Sequence, residues 1–179
     1  VRLTAPSDLM SRDQERVGAY VLDITRNGAW LCQHDIWGNV ASKPPLFNWL
    51  AALPTLAMGE ISRFSLTLPS ALASLAAVLL VLVVGGRVFG RRAGIWGALL
   101  LLYSQLGLRM VLLARTDTLF QLTVFGGMLL AYRAWITGRG WTGFWLCGAA
   151  ATMTKGPHGL LLAAGGLAWA GWQHARRRG

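Results

Sequence analysis

From Phe64 to Gly86 the sequence runs for 23 residues without a charge, through the stretch ALASLAAVLLVLVV. At about 1.5 Å of rise per residue, a helix of that length exceeds the roughly 30 Å hydrocarbon core of a bilayer. In lipid each backbone N–H and C=O must be satisfied within the segment, so an isolated run of this kind is restricted to a helix. Apolar stretches follow at residues 93–113, 118–136, 141–154 and 158–172. The last two are short, and Gly143, Gly148, Ala149, Ala150 and Ala151 suit close helix packing. About five transmembrane helices are therefore expected over residues 63–179, the last two tilted or broken at Gly156-Pro157. The fold class is an all-α integral membrane bundle.

Charge is distributed to match. The net charge is +10, from 17 Lys and Arg against 7 Asp and Glu. A nucleic-acid module gathers such charge on one face of a soluble domain, whereas here it sits in short clusters between apolar spans, so nucleic acid is excluded as a partner. Arg87, Arg91 and Arg92, then Arg133 and Arg139, then Arg176, Arg177 and Arg178 fall at alternate ends of the spans. They therefore share one side, which the positive-inside rule makes cytoplasmic. The opposite side receives residues 1–62 as an extracytoplasmic segment, the turn RTDT (115–118) and the turn TKGPH (154–158). Arg109 and Arg115 stand toward that side against the rule. Six of the seven acids precede residue 62, and Asp117 alone follows it. A lone carboxylate among membrane spans is costly and marks a functional position. The two lysines, Lys43 and Lys155, reach the same side. Cys32 and Cys147 match no metal or redox spacing.

The outer segment has helical pattern of its own. SRDQ (11–14) has the form of a capping box with Ser11 at the N-cap. Val17, Tyr20, Val21 and Ile24 recur at i, i+3, i+4 and i+7, and Asn27-Gly28 ends the helix. A linker through Trp30, His34 and Trp37 leads to Pro44-Pro45, after which Leu46, Trp49, Leu50 and Leu53 form a second apolar stripe. Two amphipathic juxtamembrane helices along the outer membrane surface are expected, with an ordinary helical loop as the alternative. Val1 to Met10 carries no apolar signal segment, and the polar start without an initiator Met leads to the expectation of a fragment.

Four segments of the chain invite chemistry. Asp13 and Arg16 are three apart at the start of the first helix, so they share a face, as a simple ion pair also would. Pro44 and Pro45 hold Lys43 near a helix start, where the dipole favours an anion and an ammonium suits a phosphate, although a plain turn into a helix would look the same. Asp117 is a candidate acid or, alternatively, the N-cap of a helix starting at Thr118, and Arg115 is close enough in sequence to neutralise it. Lys155 and His158 are candidates for phosphate or headgroup contact, with a snorkelling lysine as the alternative.

In order, DQER (13–16), KPPL (43–46), LPSAL (68–72), ARTD (114–117) and TKGP (154–157) resemble the motifs of the bacterial branch of the protein O-mannosyltransferase superfamily. That branch, of glycosyltransferase family 39 type, includes the aminoarabinose transferases that modify lipid A in the cell envelope, and has the GT-C membrane fold. The resemblance covers residues 11 to about 165. It implies a multi-span bundle with two juxtamembrane helices in the first outer loop, and further spans and a soluble domain beyond this sequence, without which the piece is expected to be inactive. It also implies transfer of a sugar from a polyprenyl-phosphate donor to a lipid, protein or glycan acceptor, at the periplasmic face of a bacterial inner membrane. By the same resemblance, Asp13 and Asp117 would be the catalytic carboxylates. Arg16 and Lys43 would bind the donor phosphate; apart from the resemblance, Arg115 and Lys155 are further candidates for the phosphate, and Tyr20 and His158 are candidate substrate contacts.

The sequence departs from the family pattern at Gln14, where Glu is usual, at Val17, where an aromatic is usual, and at Thr67, where Arg is usual. Ser42 replaces an acid that belongs to a metal site in some members, which leaves no certain cofactor and puts a divalent metal in doubt. The rival readings are a multi-span transporter or flippase of a lipid-linked substrate, and a structural subunit without chemistry. A transporter tends toward midplane polar groups and an internal repeat, and neither is evident.

Overall fold

A computed structural model describes residues 12–104 and 113–176. Among the described residues the chain is helical, with helices α1 (Arg12–Asn27), α2 (Leu46–Met58), α3 (Arg63–Phe89), α4 (Arg91–Tyr103), α5 (Thr116–Thr137), α6 (Trp141–Lys155) and α7 (His158–Arg176). The chain is thus an all-α membrane bundle. Among the described residues two helices, α3 and α5, are long and apolar enough to cross a membrane. The expected span 93–113 is represented by α4, and residues 105–112 lie outside the described residues.

Local chemistry accounts for the boundaries. Gly28, at φ +69°, ends α1 as Asn27-Gly28 anticipates, while Ser11 lies outside the described residues. Helix α3 starts at a capping box the sequence reading overlooked. The Ser65 N–H donates to Ser62 Oγ at 3.1 Å and the Ser62 N–H to Ser65 Oγ at 3.1 Å, which satisfies two otherwise orphaned donors. Pro45 is the N-cap of α2 rather than part of its first turn. Lys43 therefore sits one step farther from the helix than its spacing suggests.

Helix α3 is inverted relative to a helix of a water-soluble domain. Ser70, Ala73 and Ala77 are buried, whereas Leu72, Leu75, Leu79 and Val83 form an outward stripe, each about half exposed. In lipid, large side chains lose nothing by facing hydrocarbon, so small ones take the helix contacts. The hairpin of α3 and α4 shows the consequence. A Cβ on Gly94 would lie 2.5 Å from Gly86 N, 2.6 Å from Leu82 O and 2.7 Å from Gly86 Cα. These are backbone atoms that cannot swing aside. Gly94→Ala is expected to cost about 1–3 kcal/mol and lower the melting temperature in detergent. Gly86→Ala, whose Cβ would meet its nearest atom at 4.0 Å, should not lower it. Equal melting of both variants would refute this packing.

The close contacts pair residue 94 with 85, 97 with 81, 143 with 130 and 159 with 151, so successive helices run antiparallel. Arg87, Arg91, Arg92, Arg133 and Arg139 therefore stand at one end of the bundle. The start of α3, the start of α5, the end of α6 and the start of α7 stand at the other. Helices α1 and α2 pack at that second end. There Val17, Val21 and Ile24 of α1 share one core with Phe47, Ala51 and Ala52 of α2, Leu66 and Ala73 of α3, Ala114, and Leu119 of α5.

The apolar stripe expected on α2 is not its most buried face. Its buried face is Phe47, Asn48, Ala51, Ala52 and Thr55, whereas Leu53 is exposed and Leu46, Trp49 and Leu50 are only partly covered. Helix α2 contacts both α1 and α3. A helix held between two neighbours presents its small residues to them, because those let the backbones approach.

Candidate active site

Ala114 and Arg115 form the approach to α5. Ala114 is buried in the shared core, and Arg115 is extended at φ −133° and ψ 142° as the N-cap, without a side-chain cap of its own. Helix α5 begins at Thr116. Asp117 is therefore its second residue and not, as the alternative reading had it, the cap of a helix starting at Thr118. In the first turn of a helix the exposed N–H groups and the dipole favour a carboxylate. The side chain is left free to reach outward.

TKGP (154–157) builds the opposing wall. Thr154 is fully buried and its hydroxyl donates to Ala150 O at 2.7 Å within its own helix. Lys155 is the last residue of α6, where the C-terminal dipole suits a cation. Gly156, at φ +95°, turns the chain in a conformation that side-chain-bearing residues rarely adopt, and α7 starts at His158. Lys155 Nζ makes a direct charge-assisted hydrogen bond and ion pair with Asp117 Oδ1. Both side chains are a little over a quarter exposed, at 27% and 29%.

Two groups that the sequence reading passed over complete this cluster. Phe120, one helical turn after Asp117, lies under Lys155 with the ammonium 5.4 Å from its ring centroid. Its ring also tilts against His158, with centroids 5.0 Å apart. A cation over an aromatic face is attracted by the ring quadrupole. Gly159 makes this approach feasible, since a Cβ there would lie 2.7 Å from both Ala151 Cβ and Phe120 Cε2. The second group is Ser70, the serine of LPSAL. It is fully buried on α3, and its hydroxyl accepts from the Arg115 N–H at 3.2 Å and donates to Arg115 O at 3.1 Å. Its signals in the sequence were its place in the LPSAL motif and a polar residue within an apolar run.

The other candidates occupy the loop helices. Arg16 is exposed and, with Glu15, Asp35, Trp37 and Arg63, borders a cleft of about 330 Å³ between α1, the 28–45 loop and the start of α3. Burial is the largest influence on the Asp35 carboxyl and pushes upward. The Asn39 and Trp37 hydrogen bonds, with the Arg16 charge, outweigh it and hold the group below its usual range. Asp23 is also held low, mainly by Asn27 Nδ2 at 2.7 Å, and it accepts the His34 N–H at 2.7 Å. Gln33 pins the loop by donating to Ala29 O at 3.1 Å and Trp30 O at 2.5 Å, and by accepting from Asn48 at 3.3 Å. Lys43 projects from this loop, exposed and without a polar contact among the described residues. Tyr20 is 6% exposed on the inward face of α1. Asp13 is a residue of the first turn of α1, but its side chain lies outside the described residues, and so does all of Arg109.

The four departures also have structural settings. Val17 is core, Ser42 is exposed, and the Thr67 hydroxyl donates to Arg63 O at 2.8 Å within its own helix. Gln14 is 1% exposed, with Nε2 unpartnered among the described residues. No group of three His, Cys, Asp or Glu side chains among the described residues is arranged to hold a metal.

Comparison with curated proteins and with solved structures gives no match. The family model for dolichyl-phosphate-mannose-protein mannosyltransferase, however, matches residues 42–178. That span contains KPPL, LPSAL, ARTD and TKGP, and with them the Asp117–Lys155 pair. Membership implies a membrane-bound glycosyltransferase that draws on a polyprenyl-phosphate-linked sugar. With an all-helical bundle, inverted packing and this match over most of its length, the chain belongs to the dolichyl-phosphate-mannose-protein mannosyltransferase family.

Proposed function

We propose that this chain carries the donor-binding and catalytic end of a transferase acting at the outer face of a bacterial inner membrane, moving a sugar from polyprenyl phosphate to a lipid, protein or glycan acceptor. The observation that carries the reading is the Asp117–Lys155 pair, formed between two motif turns at the bundle end opposite the arginine clusters. Substitution at the anomeric carbon forms a bond to the acceptor oxygen and breaks the bond to the donor phosphate. The acceptor proton needs a base, and the leaving lipid phosphate needs cations as its charge grows. Asp117 already commits a carboxylate oxygen to the Lys155 ammonium. Asp13 then takes the proton, and Asp117 orients Lys155. Lys155, Lys43, Arg16 and Arg115 receive the phosphate, and Tyr20 and His158 are left for sugar or acceptor contacts.

The reading is tested by giving the full-length enzyme, reconstituted in liposomes, a panel of polyprenyl-phosphate hexoses and pentoses and measuring donor consumption. Failure to consume any of them would overturn it. Lys43 is exposed and has no polar contact among the described residues, so its role is confined to docking the donor. Lys43→Ala should raise the donor KM about 10-fold or more with kcat changed by less than about 3-fold, the signature of lost uniform binding. An unchanged donor KM would remove Lys43 from the phosphate site.

A further inference from the structure

We infer that Ser70 is a positioning residue for the Asp117–Lys155 site, acting from a different helix through the backbone of Arg115; the inference rests on the functional reading above. An N-cap residue normally fixes its helix with a side-chain oxygen that accepts an N–H from the first turn. Arg115 supplies no such oxygen, although its extended conformation is that of a cap. The fixing comes from outside. Ser70 Oγ accepts the Arg115 N–H at 3.2 Å and donates to the Arg115 carbonyl at 3.1 Å, so one hydroxyl grips both polar groups of one residue. That grip spans 45 positions in sequence, and Ser70 is wholly buried.

Two features make the grip specific rather than incidental. Pro69 precedes Ser70 inside α3 and lacks the N–H that would bond to the Ser65 carbonyl, so the ladder is already interrupted at this level. A serine hydroxyl inside a helix commonly turns back onto the carbonyl three or four residues earlier. Thr67, one turn away, does so toward Arg63 O, whereas Ser70 turns outward to the α5 approach. Asp117 stands two residues beyond the gripped Arg115. A shift of the Arg115 backbone therefore moves the carboxylate that holds Lys155, and displacements of about 1 Å at a reacting centre are costly in rate.

The test uses the full-length enzyme. In Ser70→Ala, kcat for the preferred polyprenyl-phosphate sugar is expected to fall at least about 10-fold, with donor KM within about 3-fold. Amide exchange over residues 115–119 should quicken while the α6–α7 pair is unaffected. Ser70→Thr should recover activity and Ser70→Val, of the same shape without the hydroxyl, should not; this pair decides the matter if Ser70→Ala does not fold. Adding Ser70→Ala to Asp117→Asn should cost little beyond Asp117→Asn alone, since a positioning residue has nothing left to position. Fully additive losses would make Ser70 merely structural and overturn the inference. Unchanged exchange at 115–119 would overturn the grip itself. Full activity of Asp117→Asn would instead overturn the catalytic reading, with faster exchange in Ser70→Ala still reporting the grip.

Discussion

Asp117→Asn and Lys155→Met each lower sugar transfer about 100-fold or more in the full-length enzyme, and the double variant is no worse than either one. The expectation follows from the pairing. Asp117 and Lys155 belong to turns 38 positions apart, and each is the other's charge partner at the bundle end. Removing the lysine leaves a carboxylate at a helix start, still favoured by the dipole but no longer neutralised. Removing the aspartate releases the ammonium to the Phe120 face and to water, so it no longer waits where a phosphate would arrive. At 27% and 29% exposure the pair falls between surface bridges, worth up to about 1 kcal/mol, and buried ones, whose disruption costs about 3–5 kcal/mol. An intermediate loss of about 1–3 kcal/mol in stability accompanies each single change, and the double change recovers part of it. Transfer rates and thermal melting of the four proteins in one detergent check both parts. Independent, additive losses in rate would show that the two residues do not act as a unit.

Asp13→Asn should have an effect as large or larger. A positioned general base contributes about 10²–10⁴-fold, and asparagine keeps the shape while losing the ability to take a proton. Because the base acts only as the acceptor attacks, kcat should fall by that factor with the donor KM little changed. Asp13→Glu should restore part of the rate. Transfer kinetics with saturating donor measure it, and near-normal turnover in Asp13→Asn would sink the role. Donor binding by the inactive variant, followed with a fluorescent polyprenyl phosphate, should remain intact.

Much of this could be read along the chain, because it depends on short-range regularities. Val17, Val21 and Ile24 were placed on the packed face of α1 by spacing alone. On α2 the apolar stripe and the buried face differ. Its leucines and tryptophan carry the hydrophobicity, but the contact face belongs to Phe47, Ala51 and Ala52. Hydropathy reports what avoids water, and beside lipid that differs from what touches protein. The lone acid rule drew attention to Asp117. It offered Arg115 as a neutraliser, and the structure adds Lys155 as a direct partner of Asp117.

The sequence by itself determined the all-helical class, the alternation of arginine clusters with polar turns, and hence which motif residues share an end of the bundle. These follow from helix rise, span length and the cost of charge in hydrocarbon, all of which act locally. Only the tertiary structure decided that Lys155 meets Asp117, that Phe120 lies beneath it, and that Ser70 holds the approach to α5. Those contacts depend on how each helix is rotated about its axis and how closely it approaches its neighbour. Gly94 and Gly159 set that approach by having no side chain, and a missing side chain has no pattern of its own to read.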